Sequence, residues 1–277
     1  MEGKRKRNQI IGDVVGVLLT VVIFLIPFYF MFVQSIKTKK EANRLSIAWP
    51  TEIHFDNYLE VIKHGNYQLV TAFKNSGILT LFTVLGLLFT GAMAGYVIQR
   101  RKGKLMGTIQ SIIMLGLMIP ASILPTIHML QSMHIYKTMF SMVMIEIALQ
   151  TPFTIMLYRG FMASIPVDLE EAASIDGCNR WQIFSKIIFP LLKPIQATII
   201  ILVGVQTFND FTNPLYFLPG TANTTVQLTL YNYKGQLSNS YNLLFADIII
   251  ITVPMLILFL IFNKRIVAGM VAGAVKG

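Results

Sequence analysis

The stretch that decides the fold is PVDLEEAASIDGCNRWQIFSKIIFPLLKP, Pro166 to Pro194. It holds four acids (Asp168, Glu170, Glu171, Asp176) and three bases (Arg180, Lys186, Lys193), in a chain of 277 residues that is 54% hydrophobic and only 13% charged. Mean hydropathy is +0.62. A chain that apolar belongs in a bilayer rather than in water. A short charged helix between two apolar runs is therefore the anomaly to explain. Ser164 and Pro166 precede an acid-rich first turn, and Gly177 follows, so the pattern predicts a helix start and a helix stop about ten residues apart. Leu169, Ala172, Ala173 and Asp176 fall at helical spacing and predict a smooth face fit to enter another protein's groove. Beyond Gly177, Trp181, Phe184 and Ile188 predict a second, apolar face that packs back on the membrane helices. By charge alone the segment reads equally well as an ordinary solvated loop.

Working outward, a bilayer core takes roughly 20 apolar helical residues to cross. Six windows qualify: Ile10 to Val33, Asn75 to Ile98, Met106 to Leu130, Thr138 to Tyr158, Ile195 to Leu218 and Leu243 to Phe262. The first is too long for a signal-peptide core and lacks a small-residue cleavage pattern, so it is expected to be retained. With the N-terminus inside, 15 of 23 basic residues fall on cytoplasmic segments, which favours both termini in the cytoplasm. The organisation expected is an all-α membrane protein. Residues 1–9 form a basic cytoplasmic N-terminus, 10–263 a six-helix domain that includes the loop 164–194, and 264–277 a cytoplasmic tail.

Several function classes drop out. The single cysteine, Cys178, offers neither a disulfide nor a CxxC pair. A net charge of +10 suggests nucleic acid, but the bases sit at the ends of apolar stretches, where they orient the chain in the membrane. No GxxxxGK[ST] sequence is present, so ATP binding is not expected here. Gly91 and Gly95 form a GxxxG pattern that lets two helices approach closely. Pro120 and Pro125 each remove a backbone hydrogen bond and predict a kinked or unwound third span.

Intramembrane acids are costly and tend to face a cavity or a partner. Glu146 and Asp210 are the candidates, with Gln150, Asn209 and His128 as polar neighbours and Phe208 as an aromatic surface beside them. The FNDF stretch has two readings, substrate contact or bracing of helix packing, and both stand. In the external loop from Pro219 to Asn242, Tyr231, Tyr233 and Tyr241 suit a protein interface, and an ordinary polar loop is the equal alternative.

Glu171 to Pro190 resembles the EAA loop of bacterial ABC importer permeases, whose pattern runs EAA, three residues, Gly, nine residues, Ile, one residue, Leu, Pro. Glu171, Ala172, Ala173, Gly177, Ile187 and Pro190 fit, and Phe189 replaces the Leu. FMASIPVDLEEAASIDG, FNDFTNPLYF and the ending GMVAGAVKG extend the likeness to the carbohydrate branch, similar to the second permease of maltose and oligosaccharide transporters. The resemblance implies a type I importer fold and a permease without enzymatic activity, located in a bacterial inner membrane. It implies a second permease subunit, two cytoplasmic ATP-binding subunits carrying ATP and Mg, and an extracytoplasmic sugar-binding protein. It makes the helix of Asp168, Glu171, Ala172, Ala173, Asp176 and Gly177 the coupling helix that sits in an ATPase cleft. The central spans hold no fixed cation, which favours a neutral oligosaccharide over sialic acid or glycerol phosphate. An ion-coupled secondary sugar transporter, using Glu146 and Asp210 as carriers, is the competing class; six spans, no inverted repeat and the EAA loop argue against it.

Overall fold

The computed structural model describes residues 2–235 and 239–274, with side chains described for 12–235, 239–257 and 260. Val275 to Gly277 lie outside the described residues, as do the side chains of Lys4 to Arg7, Lys264 and Arg265 used in the orientation argument. The described elements are helical throughout, with one isolated antiparallel bridge, Lys234 to Asn239.

Thirteen α-helices occur among the described residues: α1 (Glu2–Ser35), α2 (Lys39–Ala42), α3 (Asp56–Arg100), α4 (Lys104–Leu115), α5 (Ile123–Ser132), α6 (Met139–Met162) and α7 (Asp168–Ile175) come first. α8 (Arg180–Gln182), a π-helical turn (Ile183–Ile188), α9 (Phe189–Leu191), α10 (Lys193–Phe208), α11 (Thr212–Phe217), α12 (Val226–Thr229) and α13 (Tyr241–Ala274) follow. Three described helices are long and apolar enough to cross a bilayer, with windows in Gly12–Ser35, Asp56–Arg100 and Met139–Met162. A fourth candidate is a pair, Arg180–Leu191 and Lys193–Phe208, bent by 71°.

The third and fifth expected spans are interrupted rather than continuous. In the third, α4 ends at Leu115 and α5 starts at Ile123, and the connection carries Pro120. Pro125 sits in the first turn of α5, where a missing N–H costs little. In the fifth, Asn209 to Phe211 separate α10 from α11. Irregular backbone within a membrane domain persists where it is buried in protein or lines a cavity.

The chain divides into two compact units. Residues 1–70 and 229–254 form the first. Here the Asn57 amide donates to the carbonyls of Ser35 (2.8 Å) and Lys37 (3.0 Å), and Asn242 donates to Asn57 Oδ1 (2.9 Å). Phe30 meets Phe245 edge-on at 5.4 Å. Asp247 is fully buried and accepts from Thr229 Oγ1 at 2.8 Å. The helix over 56–63 is set off from the rest of α3 by His64 to Tyr67, whose backbone leaves the helical region.

Residues 71–228 and 255–277 form the second unit. Its main core joins Val84, Leu87 and Ala92 of α3, Tyr158 and Met162 of α6, Ala173 of α7, Phe184 and Ile188 of the π-turn, and Ile195, Ile199 and Val203 of α10. The GxxxG pair lies in this contact. A Cβ on Gly91 would stand 2.6 Å from Thr154 Cγ2, and one on Gly95 would stand 2.9 Å from Tyr158 Cβ. Glycine is required because the two helices touch there.

Candidate functional site

Two places in the second unit carry polar chemistry. The first grows from the break between α10 and α11. Asp210 Oδ1 accepts from the backbone N–H groups of Thr212 (3.0 Å) and Asn213 (3.3 Å), capping the short α11. Asn213 Nδ2 donates to Glu146 Oε1 at 3.2 Å, and Gln150, one turn on from Glu146, donates to Glu146 Oε2 at 2.8 Å and to Thr207 Oγ1 at 2.9 Å. These residues surround a cavity of about 400 Å³ lined by Glu146, Leu149, Gln150, Val205, Gln206, Asn209, Asp210 and Asn213. That size lies within the range of small-ligand pockets. Two carboxyls and four amides face one space, and none of the lining residues is basic. The Asp210 carboxyl meets that of Glu146 as a hydrogen-bonded pair, and Gln150 Oε1 is buried with no donor on it.

Of the residues selected from the sequence, Glu146, Gln150, Asn209 and Asp210 line this cavity. Phe208 is not in the lining; its ring stands 6.2 Å from that of Phe73. His128 is exposed on α5 and is also outside the lining. Sequence reasoning missed Asn213, Gln206 and Thr207. Asn213 lies three residues beyond Asp210, a spacing that would have paired them, but only the helix break turns Asn213 toward Glu146.

The second place is the charged segment. α7 covers Asp168–Ile175, and Gly177 takes φ +84°, a left-handed conformation that glycine adopts without strain. The Cys178 N–H returns to the Ala173 carbonyl at 3.0 Å and the Gly177 N–H to Ser174 at 3.1 Å, closing the helix end. Asn179 and Gln182 then form a reciprocal capping box that starts the next helix. Asp168, Glu171, Ala172, Asp176 and Gly177 are exposed.

Two expectations for this segment need correction. Ala173 does not share the outward face with Ala172, because it is only 6% exposed and packs in the main core. The outward face instead contains Leu169, Ala172 and Ile175, the last 87% exposed. Trp181 is 56% exposed although Phe184 and Ile188 are buried. The π-turn over Ile183–Ile188 changes the residues per turn, so a stripe counted at α-helical spacing does not stay on one face.

Sequence reasoning also passed over Glu170 in favour of Glu171. Glu170 Oε1 accepts from Arg100 Nε at 2.6 Å and Oε2 from the Tyr96 hydroxyl at 2.8 Å. Arg100 also donates to the Ile165 carbonyl at 2.9 Å. No spacing rule pairs residues seventy positions apart.

In the loop from Pro219 to Asn242, which belongs in part to the first unit, Tyr231 is half exposed, while Tyr233 is 5% exposed and its ring lies 5.3 Å from His64. Burial pushes the Tyr233 hydroxyl above the usual tyrosine range. Tyr233 therefore cannot serve as the interface residue expected of it. Tyr241 is half-buried, and its hydroxyl accepts from Asn239 Nδ2 at 3.1 Å. In the same unit Glu41 accepts the Thr51 hydroxyl, and this bond holds its carboxyl below the usual range.

Comparison with known proteins agrees with this architecture. The chain is 35% identical over 255 residues to the melibiose/raffinose/stachyose import permease protein MelC of Bacillus subtilis (strain 168), covering 91% of each chain. It is 34% identical to the multiple sugar-binding transport system permease protein MsmG of Streptococcus mutans, covering 94% of this chain and 95% of that one. A crystal structure of a bacterial ABC transporter involved in alginate import contains a chain of the same fold, with TM-score 0.78 and 23% identity, covering 93% of this chain and 97% of that one. Residues 68–271, which include the cavity, the charged segment and their supporting helices, match one family throughout, and the chain belongs to the binding-protein-dependent transport system inner membrane components.

Proposed function

We propose that this chain is the permease subunit of an ATP-driven importer of carbohydrate, with a neutral oligosaccharide as cargo. It lines half of the translocation pathway beside a second permease subunit. Two cytoplasmic ATP-binding subunits carry ATP and Mg, an extracytoplasmic binding protein delivers the sugar, and both termini face the cytoplasm. α7 is the coupling helix; its exposed Leu169, Ala172 and Ile175 enter the ATPase cleft, while Glu171 and Asp176 supply charged contacts at its edge.

The observation that carries the substrate class is the cavity at the α10–α11 break. Sugar hydroxyls both donate and accept, and they meet here two carboxyls and four amides. Gln150 Oε1, which carries no donor, is an acceptor for such hydroxyls. A carboxylated or phosphorylated sugar would instead meet two acids with no cation beside them. The named cargo of MelC, melibiose, raffinose and stachyose, is uncharged and supports the same choice.

ATP hydrolysis by the co-purified complex in lipid, with its binding protein and a panel of neutral and acidic sugars, tests this reading. Stimulation by a neutral oligosaccharide that Glu171→Lys with Gly177→Trp abolishes is the expected result. Hydrolysis indifferent to sugar and to the loop refutes the reading, and stimulation by an acidic sugar alone refutes the neutral cargo.

A further inference from the structure

α7 is joined by the chain to α6 on one side and to α8 on the other, but α3 reaches it only through side chains. That connection is a two-point grip. Glu170 uses one carboxylate oxygen for Arg100, the last residue of α3, and the other for Tyr96, one turn earlier. The two charged side chains are 16% and 12% exposed, so water competes little for them. The third bond, from Arg100 to the Ile165 carbonyl, ties in the approach to α7, and the Tyr96 ring lies 5.5 Å from Phe184. Gln99 adds a bond from Arg159 of α6 at 3.2 Å. A single contact pivots, whereas two bonds to one carboxylate from successive turns of a helix resist both sliding and rotation.

The far part of the same helix reaches a residue next to the cavity lining. Phe73 of α3 meets Phe208, the residue before Asn209 at the α10–α11 break. Between Phe73 and Arg100 the backbone is helical without interruption, a rod of roughly 40 Å at the usual rise per residue. We infer that Arg100, Tyr96 and Glu170 form a latch that makes α3 the lever conveying movement of α7 to the cavity at Asn209 and Asp210. Glu170 is a positioning residue in this scheme; its neighbour Glu171 points outward to the partner.

The inference rests on the importer reading, and its test separates the two. The full complex, in a Cys178→Ser background, carries spin labels at Arg101→Cys and Ser174→Cys, both exposed positions. Label separation and sugar transported per ATP are read together. With the latch intact, the separation stays narrow with and without ATP. Glu170→Gln broadens it and lowers sugar per ATP at least fivefold while hydrolysis continues; Tyr96→Phe, which keeps the ring, gives a smaller change in the same direction. The exchange Arg100→Glu with Glu170→Arg recovers much of the ratio. A narrow separation and a wild-type ratio in both Glu170→Gln and Tyr96→Phe overturn the latch. Failure of the importer reading appears instead in the unaltered complex, as hydrolysis that no sugar changes, and the label separations still decide the latch.

Discussion

Asn213 Nδ2 lies 3.2 Å from Glu146 Oε1, so the second residue of α11 holds a carboxyl in the first half of α6. Through this bond and the Asp210 cap, the break after Phe208 is held open as a polar wall instead of closing into a continuous helix.

Asp210→Asn separates the two roles of this side chain. Asparagine caps a helix about as well as aspartate, so thermal stability should change by less than about 0.5 kcal/mol. The variant also breaks up the carboxyl pair that Asp210 forms with Glu146 in the cavity lining, and a hydrogen bond to a charged group is worth about 1.5–3 kcal/mol. The half-saturating sugar concentration for uptake should therefore rise about tenfold or more. Uptake of labelled sugar by cells carrying the variant checks it.

Glu146→Leu should be harsher. It strips an acceptor from both Gln150 and Asn213; Gln150 keeps its bond to Thr207 Oγ1, and the half-buried Asn213 amide loses its partner at a cost of about 1–3 kcal/mol. Both a lower melting temperature in detergent and lost uptake are expected, whereas a stable variant with normal uptake would contradict the bracing role.

Adjacent alanines in α7 should fail differently. Ala172→Trp alters an exposed surface, so the permease should accumulate normally and co-purify with less ATPase. Ala173→Trp overpacks the core at a typical cost of about 1–3 kcal/mol or more, and the permease itself should be lost. Quantifying permease and ATPase in the same purification distinguishes the two.

Gly95→Val should separate α3 from α6 at Tyr158 and lower the melting temperature, while Gly107→Ala, with nothing within 4 Å of the added Cβ, should not. The comparison is made on purified protein in one detergent.

The Glu41–Thr51 contact should be sensitive to acid. The Thr51 hydroxyl lowers the folded carboxyl's pKa from its ordinary 4.5, so on acidification the unfolded segment takes its proton first. The contact's stabilisation is complete above that ordinary value and is lost as pH falls through the lower, folded one. Thr51→Val removes the largest cause and should weaken this dependence, read as amide exchange at position 51 between pH 6 and 3; the Thr51 backbone N–H and the charges of Lys37 and Arg44 keep the remainder.

Much of this protein was legible in local chemistry. A run of about 20 apolar residues has one environment available, Pro120 removes a backbone donor and sits where α4 gives way to α5, and Gly177 supplies a left-handed turn that few other residues accept. The outward acids of α7 and the paired Glu146 and Gln150 follow from helical spacing in the same way. What spacing could not give was the facing of each element. Tyr231 and Tyr233 are two residues apart in a polar loop, yet one is half exposed and the other is buried beside His64.

The sequence by itself determined a helical membrane protein, the places where its helices stop, and the charged segment between Pro166 and Pro194, because each depends on residues within a turn or two of one another. Only the tertiary structure decided that Glu170, not Glu171, grips Arg100, that Ala173 faces inward, and that Asn213 closes on Glu146. Those outcomes depend on contacts between segments distant in the chain, on a π-turn that shifts the register of a stripe, and on a helix break that turns side chains toward a shared cavity.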